Sequence, residues 1–333
     1  MAVKVGINGF GRIGRNVLRA IVEAKRDDIE VVAVNDLAAI EDLAHMLEFD
    51  SVHGRFAAPV AIDGNALQVG GMTMAVSARR NPGELAWNTV DVALECTGLF
   101  TDRESAGKHL ENGSAKVLVS APAKDVDRTV VMGVNDADLE AGDTIVSNAS
   151  CTTNCLAPVA KVLNEAIGID QGFMTTVHAY TGNQPTLDTL GGNLYRSRAA
   201  ALSMIPTTTG AARAVGLVLP ELQGRLDGVA LRVPVPNVSV VDLTFTAARA
   251  TSVGEINAAI CAAAEGPMAG ILGVTGRPNV SIDFNHDSRS SVFHLDQTRV
   301  MDGTLCRILS WYDNEWGFSN RMADVAVRMH ALR

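Results

Sequence analysis

A chain of 333 residues, 47% hydrophobic and 20% charged, can bury a full core, and its length suggests two domains. A formal net charge of −9 disfavours a nucleic-acid-binding surface, and five cysteines without CxxC spacing indicate neither a disulfide framework nor a zinc site. Apolar runs stop short of a membrane span and the amino terminus opens directly into a strand, so the expectation is a cytoplasmic protein with no membrane, nucleic-acid or metal partner.

Residues 3–8 (VKVGIN) predict a short apolar strand that runs straight into Gly9-Phe10-Gly11-Arg12-Ile13-Gly14, a GxGxxG turn. A helix is expected over 15–24, then a buried strand over 30–36 ending in Asp36, which stands 22 residues beyond Gly14. A lone GxGxxG is weak and can serve packing alone; strand, glycine turn, helix, strand and acid in that order describe a dinucleotide site. The glycines permit a tight turn and close backbone approach to a pyrophosphate, the helix start binds its charge, and the acid accepts hydrogen bonds from the adenosine ribose. An acid there repels a 2′-phosphate, so NAD is expected over NADP. Further strands at 91–96, 116–120 and 143–147 continue the alternation, with Thr97-Gly98 and Ser120-Ala121-Pro122 just past strand ends, where open parallel sheets bind ligands. Residues 1–149 therefore read as a Rossmann-type parallel-sheet domain.

Ser147 to Cys155 (SNASCTTNC) then places Cys151 at a strand-to-helix junction. A helix over 152–168 carries Leu156, Val159, Val162, Leu163 and Ile167 on one face. Its start offers unpaired N–H groups and a positive dipole end, conditions that favour a thiolate. A lone cysteine is more often a buried structural residue, but this polar surround does not look like core. Beyond it the pattern changes. Residues 238–248 place Val241, Leu243 and Phe245 on one face and Asp242, Thr244 and Thr246 on the other, as in a half-buried antiparallel strand. With strands at 172–180, 226–233, 291–296 and 304–311 and a covering helix at 253–265, residues 150–314 read as an α+β catalytic domain with a mainly antiparallel sheet. A C-terminal helix over 315–333 is expected to pack back on the first domain. The polar, glycine-rich stretch 181–203, with Gly191-Gly192, is too long for an ordinary connection and reads as functional or interfacial.

His178 follows Cys151 by 27 residues. In a strand it would more often be structural; paired with the cysteine it can accept the thiol proton and, as imidazolium, hold a thiolate and an oxyanion. Thr181, Arg196, Arg198, Thr207-Thr208-Thr209-Gly210 and Arg232 add hydroxyls, flexible backbone and guanidinium forks, the groups that bind phosphate oxygens.

These motifs resemble the phosphorylating glyceraldehyde-3-phosphate dehydrogenases over essentially the whole length: NGFGRIGR at 8–15, VND at 34–36, SAPAKD at 120–125, SNASCTTNCLAP at 147–158, TVHAYTGNQ at 176–184, IPTTTGAA at 205–212, RVPVPNVSVVDL at 232–243 and SWYDNEWGFSNR at 310–321. The resemblance implies oxidation of D-glyceraldehyde 3-phosphate to 1,3-bisphosphoglycerate in glycolysis and gluconeogenesis, with NAD and inorganic phosphate, by a homotetramer. It makes Cys151 the nucleophile and His178 its activator. It assigns the substrate phosphate to Thr181 and Arg232, and the attacking phosphate to Ser150, Thr152, Thr209, Gly210 and Arg196. NAD contacts are implied for Arg12, Ile13, Asp36, Arg80, Ser120 and Asn314. Three departures stand out: Gly191-Gly192 where the family often has His-Lys, Asn183 for an acid, and Phe318 for a tyrosine. DFNHD at 283–287 and NEWGFSNR also look like erythrose-4-phosphate dehydrogenase, the alternative; SAPAK and PTTTG, around the attacking-phosphate site, favour the glyceraldehyde enzyme.

Overall fold

The structure, a computed structural model, describes residues 2–332. The chain divides into two compact units, one of Met1–Met132, Asp136–Ser150 and Ser319–Arg333, the other of Gly133–Asn135 and Cys151–Phe318.

In the first unit, Val3–Asn8, Ile29–Asn35, Met72–Ser77, Val92–Glu95, Lys116–Val119 and Ile145–Ser147 form a parallel sheet. Val5, Ile7, Val31, Val34, Val92, Leu94, Val117 and Leu118 are fully buried, as expected of parallel strands covered on both faces. Val3–Asn8 lies between Ile29–Asn35 and Val92–Glu95, so the chain leaves it to one side and later returns to the other. That reversal opens a crevice at the carboxyl ends of the strands. An antiparallel ribbon, Val60–Asp63 and Ala66–Val69, continues from Met72–Ser77 at one edge. It escaped the sequence reading because Val60–Asp63 is almost wholly exposed and buries no apolar face.

The first helix runs over Arg12–Glu23, three residues earlier than expected, because the GxGxxG turn supplies its first turn. Gly11 caps it without a side-chain hydrogen bond. From Ser319 onward, the C-terminal helix Trp316–Ala331 belongs to this unit: Lys116 Nζ donates to Met329 O at 3.0 Å, and Arg26 pairs with Asp324 at 2.7 Å.

The second unit is built on a mixed, mainly antiparallel sheet. Ile169–Ala179 pairs parallel with Leu226–Val233 and antiparallel with Ser239–Ala247, which in turn pairs antiparallel with Leu305–Tyr312. Along Ser239–Ala247, Val241, Leu243 and Phe245 are buried and Thr244 is exposed. Helices Cys151–Ile167, Ala211–Val218 and Val253–Glu265 cover the sheet. Residues 181–204 carry no helix or strand. Among the described residues no helix is long and apolar enough to cross a membrane.

Candidate active site

The crevice of the first unit is a cavity of about 310 Å³ lined by Asn8, Gly9, Gly11, Asn35, Asp36, Arg80 and Thr97, among others. Gly9 has φ +89°, a left-handed conformation natural to glycine, and a Cβ on Gly14 would meet the Gly9 carbonyl oxygen at 2.2 Å. Asp36 lies just beyond Ile29–Asn35, where its Oδ2 accepts from Phe10 N–H at 2.8 Å, so the acid and the glycine turn brace one another. Arg80 is exposed on the same cavity. Arg12 and Ile13 open the first helix, with Arg12 ion-paired to Asp50, and Ser120 follows Lys116–Val119 with its hydroxyl on the Cys96 thiol. The glycine turn, a helix start without a side-chain cap and the strand-end acid suit a dinucleotide.

Below that cavity lies a polar network that no motif announced. Glu95, fully buried, accepts from Asn8 Nδ2 at 2.6 Å and from Thr97 N–H at 2.8 Å, and it pairs with buried His109 at 3.0 Å. Asn35 Nδ2 donates to Asn8 Oδ1 at 2.8 Å, which carries the chain to the second strand. Its members come from four separate elements, so no local spacing could reveal it.

In the second unit Cys151 is the first residue of helix Cys151–Ile167. Buried Ala149, two residues before it, has φ +55°, a sharp turn out of strand Ile145–Ser147. Cys151 Sγ stands 3.6 Å from His178 Nε2. His178 is the next-to-last residue of the Ile169–Ala179 strand and pairs in parallel register with Arg232, whose Nη1 lies 2.7 Å from His178 Nδ1 and donates to Ala179 O at 2.8 Å. Ala179 O is itself 2.7 Å from Nδ1 and can accept from it. Tyr312 sits edge-on to the imidazole, its hydroxyl held by Thr152 Oγ1 at 2.8 Å and Thr176 Oγ1 at 2.9 Å.

The electrostatics correct one expectation. Burial pushes the Cys151 thiol up, and the Arg232 charge and hydrogen bonding from Thr152 offset this only in part, so the helix start does not by itself make the thiolate. Burial, helped by the Arg232 and Arg196 charges, pushes His178 down to about 3. Each group resists charging alone. Proton passage from Sγ to Nε2 creates both charges together, and at 3.6 Å their attraction is about 5 kcal/mol for an effective dielectric of about 20. A thiolate here therefore depends on its imidazole. Cys155, four residues on, has no such partner: burial drives its thiol up to about 12, and its sulfur contacts Ser291 Oγ at 3.3 Å. Burial and the neighbouring Glu95 carboxylate push Cys96 up further still.

Around this pair is a cationic cradle. Arg232 and Arg196 are close enough to depress His178 together, and neither has a carboxylate partner among the described residues. Arg232 Nε, Arg196 Nε and Gln184 Nε2 are buried without a hydrogen-bond partner, an arrangement that calls for an anion or water. Thr181 Oγ1 donates to Asn183 Oδ1 at 2.8 Å, and its N–H donates to Gln184 Oε1 at 3.3 Å. Thr209 and Gly210 precede helix Ala211–Val218, and Thr153 Oγ1 donates to Ala211 O at 3.3 Å, tying that helix start to the one bearing Cys151. The Thr152 hydroxyl is engaged by Tyr312, and Thr152 also hydrogen-bonds the Cys151 thiol. Ser150 directly precedes Cys151, and buried Asn314 accepts at Oδ1 from Ser239 Oγ at 2.8 Å. Tyr312 and Ser239 are the residues here that the sequence reading missed; both act through partners 60 or more positions away. Among the described residues no cluster of histidine, cysteine, aspartate or glutamate could hold a metal ion.

Comparison with known proteins gives the same picture. Residues 3–103 match the NAD binding domain of glyceraldehyde 3-phosphate dehydrogenase, and residues 150–314 match the C-terminal domain of that enzyme. The chain is 68% identical over 332 residues to the glyceraldehyde-3-phosphate dehydrogenase of Cereibacter sphaeroides and 66% identical over 334 residues to that of Xanthobacter flavus, covering 100% of both chains in each case. It is 56% identical over 330 residues to the enzyme of Geobacillus stearothermophilus, covering 98% of both chains. By these matches, spanning the dinucleotide cavity and the cysteine-bearing unit alike, the chain belongs to the glyceraldehyde-3-phosphate dehydrogenase family.

Proposed function

We propose that the protein oxidises D-glyceraldehyde 3-phosphate with NAD and captures the product as 1,3-bisphosphoglycerate. The observation that carries the reading is the Cys151–His178 pair at 3.6 Å beside two half-buried arginines, Arg196 and Arg232, whose Nε atoms are buried without a hydrogen-bond partner among the described residues. His178 Nε2 takes the thiol proton as Cys151 Sγ adds to the aldehyde carbon, and the resulting hemithioacetal oxygen lies within reach of the N–H groups at the helix start. Bound NAD supplies the hydride acceptor, with Arg12, Ile13, Asp36, Arg80, Ser120 and Asn314 as its contacts. Loss of hydride leaves a thioester on Cys151, which retains the oxidation energy until phosphate attacks. Thr181 and Arg232 hold the substrate phosphate; Ser150, Thr152, Arg196, Thr209 and Gly210 hold the attacking one. The SNASCTTN stretch contains no Asp or Glu to activate water, which favours phosphorolysis over hydrolysis.

NADH formation should therefore require phosphate or arsenate for steady turnover, with glyceraldehyde 3-phosphate showing the higher kcat/KM against erythrose 4-phosphate. Turnover indifferent to both anions removes the phosphorolysis step, and a reversed aldehyde preference replaces the substrate. The proposal includes a cytoplasmic homotetramer. Its support is the apolar surface of the 181–204 segment, where Leu190 is 99% exposed, Leu194 81% and Leu202 80%. Light scattering should give four times the 35.1 kDa chain mass, and a monomer at working concentration contradicts the assembly.

A further inference from the structure

Glu95 ends the Val92–Glu95 strand and is fully buried. Its carboxylate is met by donors at four places, two on each oxygen. Oε1 accepts from Thr97 N–H at 2.8 Å and from the Thr97 hydroxyl; Oε2 accepts from Asn8 Nδ2 at 2.6 Å and lies 3.0 Å from His109 Nε2. Backbone groups further out fix the direction of each bond. Leu99 N–H donates to Thr97 Oγ1 at 3.0 Å, so the proton of that hydroxyl goes to Glu95. Arg79 N–H donates to Asn35 Oδ1 while Asn35 Nδ2 donates to Arg79 O, both at 2.8 Å, so the Asn35 carboxamide has one orientation. Its Nδ2 also donates to Asn8 Oδ1, which leaves Asn8 Nδ2 facing Glu95. On the far side, Ser114 N–H and Oγ donate to Asn112 Oδ1 at 3.1 and 2.8 Å, which turns Asn112 Nδ2 toward His109 Nδ1 at 3.3 Å. His109 Nδ1 is therefore an acceptor, and Nε2 carries the proton that reaches Glu95. A carboxylate can accept at all four places; a carboxamide of the same shape cannot.

These partners belong to the walls of the dinucleotide cavity. Asn8 leads into the glycine turn, Asn35 and Arg79 stand directly before Asp36 and Arg80, and Thr97 begins the segment after the third strand; all four line the cavity. There is no slack between two of those walls: a Cβ on Gly9 would meet Thr97 N at 2.7 Å. Every member lies in the first compact unit. One buried side chain thus sets how three cavity-lining segments stand to one another.

We propose that Glu95 is a positioning residue for NAD binding, acting by its acceptor polarity through Asn8, Asn35 and Thr97. The inference rests on the reading of this cavity as the dinucleotide site.

The test is a polarity exchange read by calorimetric titration with NAD. Glu95→Gln turns an N–H into a site already filled by donors, and Asn8→Asp sets two carboxylates against each other across 2.6 Å. Each should weaken Kd by about tenfold at unchanged stoichiometry. In the protein carrying both substitutions, the new amide donates to the new carboxylate, and His109 Nε2, 3.5 Å from Asn8 Nδ2 in the parent, keeps an acceptor. Kd should return to within about threefold of the parent, a rescue that loss of packing alone would not give. A Kd for Glu95→Gln equal to that of the parent, or a double variant that binds no tighter than the singles, overturns the positioning role. Where a single variant does not fold, the double is compared with the parent directly: recovery supports the proposal, and a double that is unfolded or binds tenfold more weakly overturns it. Asp36→Ala, run alongside, should weaken NAD by at least about fivefold; an unchanged Kd there overturns the cavity reading itself.

Discussion

Replacing Cys151 with serine is expected to lower the rate of aldehyde oxidation by about 10⁴-fold or more while leaving the Kd for NAD within about threefold of the parent value. The size of the loss follows from the chemistry asked of this atom. It must add to a carbonyl, carry the carbon through hydride loss and then act as a leaving group, and a hydroxyl at the same place is a poor nucleophile and a worse leaving group. Sparing of NAD follows because Cys151 is not among the contacts proposed for the dinucleotide. Cys155, on the same helix, and Cys96, in the glycine turn's unit, are poor substitutes: burial pushes both thiols strongly upward, and neither has an imidazole beside it among the described residues. Steady-state oxidation together with NAD titration checks both halves. Activity within tenfold of the parent would remove Cys151 from the mechanism.

His178→Asn is expected to cost about 10²–10⁴-fold in the acylation rate, the usual range for a positioned proton acceptor. Alkylation of Cys151 separates this from a packing defect. With His178 present, proton transfer within the pair should let alkylation by iodoacetamide persist below the ordinary thiol pKa of about 8.5; without it, the low-pH limb should vanish, since burial alone raises the thiol. An identical pH profile in the variant would sever the pair. Stability supplies an independent sign. His178 is held down to about 3 in the fold against an ordinary value of 6.5, so between those values the unfolded chain binds a proton that the folded chain does not. Its contribution is full above about 6.5 and drains away as pH falls toward 3. In urea titrations the asparagine variant should lose less stability than the parent across that window.

Much of this was legible in the sequence for local reasons. The strand before the glycine turn, the turn itself and Asp36 are written within 36 residues, and each obeys a rule of backbone geometry or charge. The long stretch at 181–203 and the helix expected over 152–168 were equally local. What could not be read were relations between distant strands. Arg232 reaches His178 because Leu226–Val233 runs parallel to Ile169–Ala179 in a register that puts the two residues side by side. Tyr312 reaches Thr152 and Thr176 from the far end of the chain. Helix Ala211–Val218 was hidden by its small residues and by Gly210, which caps without a side chain. The sign of the Cys151 shift was also missed, because a helix start is visible in sequence and the burial that opposes it is not.

The most direct test of the central claim is the mass of the Cys151 peptide after the enzyme is mixed with NAD and D-glyceraldehyde 3-phosphate in phosphate-free buffer and quenched in acid. A phosphoglyceroyl adduct on Cys151, discharged when phosphate or arsenate is added before the quench, is the predicted result. NADH formed without an adduct, or with one on any other cysteine, would contradict it.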